Sequence, residues 1–211
     1  MTRNKIIIAA AILILFILYH FATNPVGIAS TEIIRADEDP DQKEVSEETI
    51  HLNSSGYEWD LKPKAEYHMA ARVLGRERYF TGWQASASPV DLALGWGKLG
   101  DPEPDHWISW SQSGRWYFYS YSGDSPYSED FITSHSANVH IIPATKNLKN
   151  AVLRLSEDDL VALEGYLVNA NVRKGASNYW WNSSLTRTDT GDGACELLYL
   201  TKLTLNRKDY R

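Results

Sequence analysis

Apolar and polar positions alternate with a period of two along several stretches of this chain, the pattern of half-buried strands. Leu160 to Val172 (LVALEGYLVNANV) is the clearest, with a turn predicted at Asp158-Asp159 before it. Gly165 within it predicts a sharp bend, as barrels need at their corners. In SANVHIIP the alternation places Val139 and Ile141 inward and Asn138 and His140 on the opposite face. Trp107 to Tyr121 reads as a hairpin turning at Ser113-Gly114. Its second arm carries Tyr117, Tyr119 and Tyr121 on one face and Trp116, Phe118 and Ser120 on the other. Ala65 to Phe80 predicts a strand or two interrupted at Gly75, and Trp180–Leu185 with Cys195–Leu205 predict a second hairpin.

Helical signals are fewer. Ser88-Pro89-Val90-Asp91 has a capping serine, a proline at the first helical position and a carboxylate three residues on, which predicts a helix running through Trp96 to Gly97 or Gly100. On that reading Asp91 is a cap and not a catalytic acid. Ser128, Glu129 and Asp130 suit a helical turn, and Leu148, Val152 and Leu155 space a further short helix. The sum is a mainly β, β-rich α+β fold: a single small OB-like barrel domain with two short helices, on element order alone.

The N-terminus changes the picture of where this domain sits. Arg3 and Lys5 precede Ile6 to Tyr19, fourteen residues without a charge. A signal peptide cleaved near residue 29, at Gly27-Ile28-Ala29, competes with an uncleaved transmembrane helix over 6–22. The anchor is favoured, because fourteen apolar residues already reach the top of the signal-peptide range. The expected organisation is then a cytoplasmic basic region at 1–5, a single-pass membrane helix at 6–22, an acidic stalk at 30–54 and a β-rich domain at 55–211. Positive charge before the apolar run and acidity after it put the domain outside, in a periplasmic or extracellular location.

Charge is concentrated in one place. Residues 31–50 hold eight acidic side chains against Arg35 and Lys43, which equals the net −6 of the whole chain. The domain itself is near neutral, and its only basic grouping is Arg72, Arg76 and Arg78. Nucleic acid is therefore not an expected partner. The single cysteine, Cys195, excludes an internal disulfide, and none follows the apolar run to take a lipid.

Candidate chemistry gathers in YWWNSSLTRTDTGDGACELLYL, Tyr179 to Leu200. Cys195 is a candidate thiol nucleophile with His135 or His140 as base. Against this, it shares strand parity with Leu197, Leu203 and Leu205, as a buried structural cysteine does. His135 and His140 with Asp189, Asp192 and Glu196 lack the spacing of a known metal motif, so no metal and no cofactor are expected. Ser183 and Ser184 have no nucleophile elbow around them. Asp189 to Gly193 reads as a tight turn, with Arg187 paired to Asp189 or Glu196. The aromatic residues offer a different site: Trp116, Tyr119 and Trp181 as a stacking surface, with Arg187, Asp189 and Asp192 as its polar rim.

The segments DLALGWG, SANVHIIPA and WWNSSLTRTDTGDGACE resemble a bacterial group of exported, membrane-anchored proteins without an assigned function. The resemblance covers most of residues 57–205 and implies no catalytic residues. The leading expectation is a membrane-tethered, non-catalytic binding or assembly module with an envelope protein or a glycan as partner. The alternatives are an envelope thiol enzyme or hydrolase using Cys195, and a structural spacer, which predicts no surface pocket.

Overall fold

The computed structural model describes residues 23–211, together with residue 8 and residues 12–15. The expected anchor over 6–22 thus lies mostly outside the described residues, and among those described no helix is long and apolar enough to cross a membrane. The strands run, in order, β1 (Ile28–Ala29), β2 (Asp41–Glu44), β3 (Ile50–Ser54), β4 (Tyr57–Arg78), β5 (Val90–Gly95), β6 (Ile108–Ser113), β7 (Trp116–Tyr121) and β8 (Ser136–Pro143). They continue with β9 (Leu160–Lys174), β10 (Ser177–Asn182), β11 (Glu196–Leu205) and β12 (Lys208–Tyr210). Helix α1 (Glu129–Ser134) precedes β8 and α2 (Lys146–Val152) follows it.

Five strands close on themselves. β4 pairs β5, β5 pairs β8, β8 pairs β11 in parallel, and β11 and β4 both pair β9. Alternate side chains fill the interior: Met69, Ala71 and Val73 of β4, Leu92 and Leu94 of β5, Val139 and Ile141 of β8, Leu163 of β9, and Leu198 and Leu200 of β11. Leu148, Ala151 and Val152 of α2 join this core. At Gly165 the strands come close: a Cβ there would stand 2.0 Å from the Tyr199 carbonyl oxygen, so only glycine lets β9 and β11 approach. The predicted interruption at Gly75 is a register shift within one long strand.

Beyond the ring, β4 and β9 continue as a ribbon flanked by β3 and β10. There Trp59, Leu61, Val168 and Val172 pack on Ile142 and Leu197 from outside the barrel. The β6–β7 hairpin is a separate two-stranded sheet. It shares a third core, built on Leu99, Ile108 and Ile132, with α1.

Three expectations are corrected. The helix expected from Ser88 is instead strand β5, between β4 and β8 and buried at every position. Val90, Leu92 and Leu94 alternate into the core against Asp91, Ala93 and Gly95, a period of two that the serine–proline start masks, and six residues suit a strand better than a helix. The expected hairpin of Trp180–Leu185 with Cys195–Leu205 does not form: β10 pairs β9 across the short Gly175-Ala176 turn, which closes a far smaller loop. Finally, residues 30–54 do not stand free as a stalk. β2 and β3 both pair β4, Trp96 Nε1 donates to Asp39 at 3.0 Å, and Lys202 Nζ meets Glu32 at 2.9 Å. Backbone pairing at a sheet edge tolerates a charged, outward-facing strand, so composition alone misplaces it.

Candidate functional site

The outer face of β5 and β8 is polar and yet buried. The antiparallel register sets Asp91 opposite His140 and Ala93 opposite Asn138. Ser136, Asn138, His140 and Asp91 are all buried, because the β6–β7 hairpin, Trp181 and the loop over 183–195 cover that face. A buried carboxylate needs a partner. Arg115 supplies it from the hairpin tip: Nη1 donates to Asp91 Oδ1 at 2.7 Å and Nη2 to the Ser88 carbonyl at 2.9 Å. His140 Nδ1 lies 3.0 Å from the same Asp91 oxygen.

The hairpin turns at Gly114 and Arg115, one residue later than expected, with φ of 62° and 78°. Two positive φ values match the right-handed twist of a tight hairpin, but the second falls on a residue with a Cβ, which disfavours it. What holds Arg115 there is its set of partners. Its backbone N–H donates to Tyr79 Oη at 2.8 Å and its carbonyl accepts from Asn138 Nδ2 at 3.0 Å. The guanidinium lies 3.6 Å above the Tyr79 ring and 5.4 Å from that of Trp181. Arg115 therefore clasps the hairpin onto the barrel.

Under the clasped hairpin lies a cavity of about 150 Å³. Trp96, Trp116, Tyr117 and Tyr119 wall it, and Asn138, Arg187 and Glu196 are its polar lining. Tyr117 is fixed by a 3.2 Å bond between its Oη and Ser136 Oγ and by stacking on Trp110 at 6.2 Å. Glu196 shares the inward parity of Leu198 and Leu200, which buries its carboxyl at the barrel mouth. Burial pushes that carboxyl up to about 8, against the pull of Arg187, so it is mostly protonated at neutral pH. Arg187 Nη2 donates to the Pro40 carbonyl at 2.6 Å. Its Nη1 and Glu196 Oε2 are buried and have no hydrogen-bond partner among the described residues, which is also true of Asp91 Oδ2 and of Tyr67 Oη, the latter outside the cavity lining. Burial pushes the Tyr67 phenol up as well.

A groove of about 450 Å³ shares Trp116 and Cys195 with the cavity and adds Arg115, His140, Trp180 and Trp181. Trp181 is half-buried, 4.6 Å from the His140 ring and 5.8 Å from Trp83, while Trp180 is 74% exposed.

The structure gathers the expected aromatic site. Trp116 stands between cavity and groove, Tyr119 and Arg187 line the cavity, and Trp181 lines the groove. Asp189 and Asp192 are exposed and border the cavity and the groove respectively, Asp189 accepting from Ser184 Oγ at 2.7 Å. The expected pairing of Arg187 with Asp189 or Glu196 does not occur among the described ion pairs.

The candidate thiol dyad is not assembled. His135 stacks on Phe131 at 4.2 Å and its Nδ1 lies 2.9 Å from the Phe131 carbonyl, on α1. His140 turns to Asp91. Cys195 Sγ accepts from Asn138 Nδ2 at 3.6 Å, and among the described residues no hydrogen bond joins it to either histidine. Burial pushes the thiol up to about 11, with Glu196, Asp91 and Asp189 adding to the rise.

Sequence reasoning did not select Arg115, Asn138, Tyr117, Trp96 or Glu196 as binding residues. The parity of β8 already separated Asn138 and His140 from the core, but only the strand pairing reveals what covers that face. Elsewhere, Glu32, His68 and Glu164 bring ligand atoms within 4.8 Å of one another. Lys202 Nζ, 2.9 and 2.8 Å from the two carboxylates, already pairs with both.

No family model, curated protein or solved structure matches this chain.

Proposed function

We propose that this chain is a membrane-tethered envelope protein, held by its 6–22 segment with the barrel exported, and that the barrel is a non-catalytic binding or assembly module. The observation that carries this reading is the aromatic-walled cavity whose lining includes Arg187 Nη1 and Glu196 Oε2, two buried polar atoms without a hydrogen-bond partner among the described residues. Buried polar groups in folded proteins are almost always satisfied, so such a set marks a place where another molecule completes the bonding. The order of the ring supports it. The third and fifth barrel strands are parallel and a helix lies between the third and fourth, which resembles an OB-type barrel. Barrels of that type bind ligands across the second and third strands, between the loops after the first and fourth strands. Here those strands are β5 and β8, and the loops are 79–89 and 175–195, where Trp181, Arg187 and Cys195 lie.

Fold-level likeness does not supply chemistry. A thiol enzyme built on Cys195 with His135 or His140 is not favoured, because the thiol is buried among carboxylates and has no base. A pure spacer has no use for the cavity. The test is retention: tagged full-length protein, solubilised in detergent, is used to capture partners from an envelope extract, beside a Trp116→Ala/Trp181→Ala double variant of unchanged thermal stability. A captured envelope component that the double variant loses supports the module. Identical recovery by both proteins, or none by either, sinks it.

A further inference from the structure

The charges and hydrogen-bonding groups of the cavity narrow what it accepts. Arg187 contributes a positive charge and Asp189 a negative one, and Glu196 at the floor is buried. A free anion would meet Asp189, and a free cation would meet Arg187, so neither is matched by this pair of charges. The atoms that lack partners require both kinds of bond. Arg187 Nη1 can only donate, while the Glu196 carboxyl donates or accepts. Arg187 and Glu196 line one cavity and form no ion pair with each other among the described residues, so a bridging group belongs between them. A hydroxyl group fits: it accepts from the arginine and exchanges a bond with the carboxyl. Walls made of Trp116, Tyr117 and Tyr119 present flat apolar faces, which suit the C–H face of a ring. The volume, about 150 Å³, equals that of an engineered cavity known to hold benzene, so it receives one edge of a pyranose whose remainder extends toward the adjoining groove.

We propose that this cavity is a subsite for one neutral saccharide ring, whose face stacks on the Trp116 side of the hairpin and whose hydroxyl bridges Arg187 and Glu196. The groove that shares Trp116 and Cys195 with it then receives the next units of an oligosaccharide, stacked on Trp181 and Trp180. This rests on the binding-module reading and names its ligand class.

The experiment uses full-length protein in an amine-oxide detergent, which carries no sugar head group. It is presented to a glycan microarray, and the best-bound oligosaccharide is then titrated by tryptophan fluorescence. The expected result is saturable binding, weakened about tenfold or more by Trp116→Ala and by Glu196→Leu, which removes the donor and the acceptor together, and tighter for a trisaccharide than for its monosaccharide. Phe80→Ala, which removes an exposed aromatic side chain outside both lining sets, leaves binding unchanged. Thermal melts confirm that each variant is folded, and Trp116→Ala, at an exposed side chain, stands in if Glu196→Leu is not.

A blank array overturns the proposal, as does glycan binding indifferent to both variants. Adenosine, acetate or choline binding in a Trp116-dependent manner while no glycan binds overturns it too. Capture of an envelope protein through the aromatic surface alongside a blank array leaves the module reading standing and removes only the saccharide.

Discussion

Two arginines reach buried carboxyls on the same side of this barrel, and they end in opposite states. Arg115 meets Asp91 at 2.7 Å, adds the Ser88 carbonyl, and is sandwiched by Tyr79 and Trp181. Arg187 stands over Glu196 without an ion pair, and each leaves one polar atom unused. Hydrogen bonding is incomplete at both, since Asp91 Oδ2 is also buried without a partner among the described residues; what separates the two is the ion pair that Arg115 makes and Arg187 does not. The clasp comes from a two-residue turn whose backbone is bonded to Tyr79 and Asn138. The open pair belongs to a long irregular loop and a barrel mouth beside a cavity. A paired arginine thus holds the hairpin beside polar groups that the described residues leave unpaired.

The largest effect expected follows from breaking the clasp. Arg115→Ala leaves Asp91 buried without its cation, and removing one partner of a buried pair costs about 3–5 kcal/mol. Chemical denaturation should show that loss, and Arg115→Lys should recover only part of it, because an ammonium cannot serve Asp91 and the Ser88 carbonyl with two separate nitrogens. A loss below about 1 kcal/mol, within the range of an exposed ion pair, would remove the distinction between the two arginines.

Glu196 gives the second test. Its carboxyl is raised by burial from 4.5 to about 8, so the folded protein holds a proton that the unfolded chain releases. Stability from this group is therefore fully present below pH 4.5 and falls as pH rises through about 8, by on the order of 1 kcal/mol per unit. Arg187 and Asp189 of the loop face it, as do Tyr67 of β4, Tyr117 of β7 and the neighbouring Cys195. Glu196→Gln keeps the shape and removes the titration, so melting temperatures plotted against pH should converge near pH 4.5, separate progressively up to about pH 8 and run parallel above it, the variant being the more stable. Parallel curves would mean that Glu196 is already ionised and paired in the folded protein.

Period-two alternation was enough to read Leu160 to Val172 and the inward Val139 and Ile141 of β8. In Val90 to Gly95 the same alternation is present, Val90, Leu92 and Leu94 against Asp91, Ala93 and Gly95, but a serine–proline start imitates a helix. The aromatic residues of the site were legible because rings in a strand have few other uses on an outward face. Arg115 was not, since nothing local to Gly114-Arg115 reveals a carboxylate on β5, some twenty-four residues back, that only strand pairing brings under it. Residues 30–54 were misread for a related reason: their pairing with β4 is made by the backbone, to which composition is blind.

Cys195 provides the smallest effect and sharpens the contrast, because it lies between the two clusters and lines both the cavity and the groove. Burial pushes its thiol up to about 11, so roughly one molecule in ten thousand carries the thiolate at pH 7. Iodoacetamide should react slowly with the native protein at neutral pH, and faster by about a factor of ten for each added pH unit while the fold persists. His135→Ala and His140→Ala should leave that rate unchanged, because neither ring is hydrogen-bonded to the sulfur. A fast neutral rate that drops in one histidine variant would place a base beside Cys195 and reverse the assignment, making the face between the arginines a reactive centre instead of a binding surface.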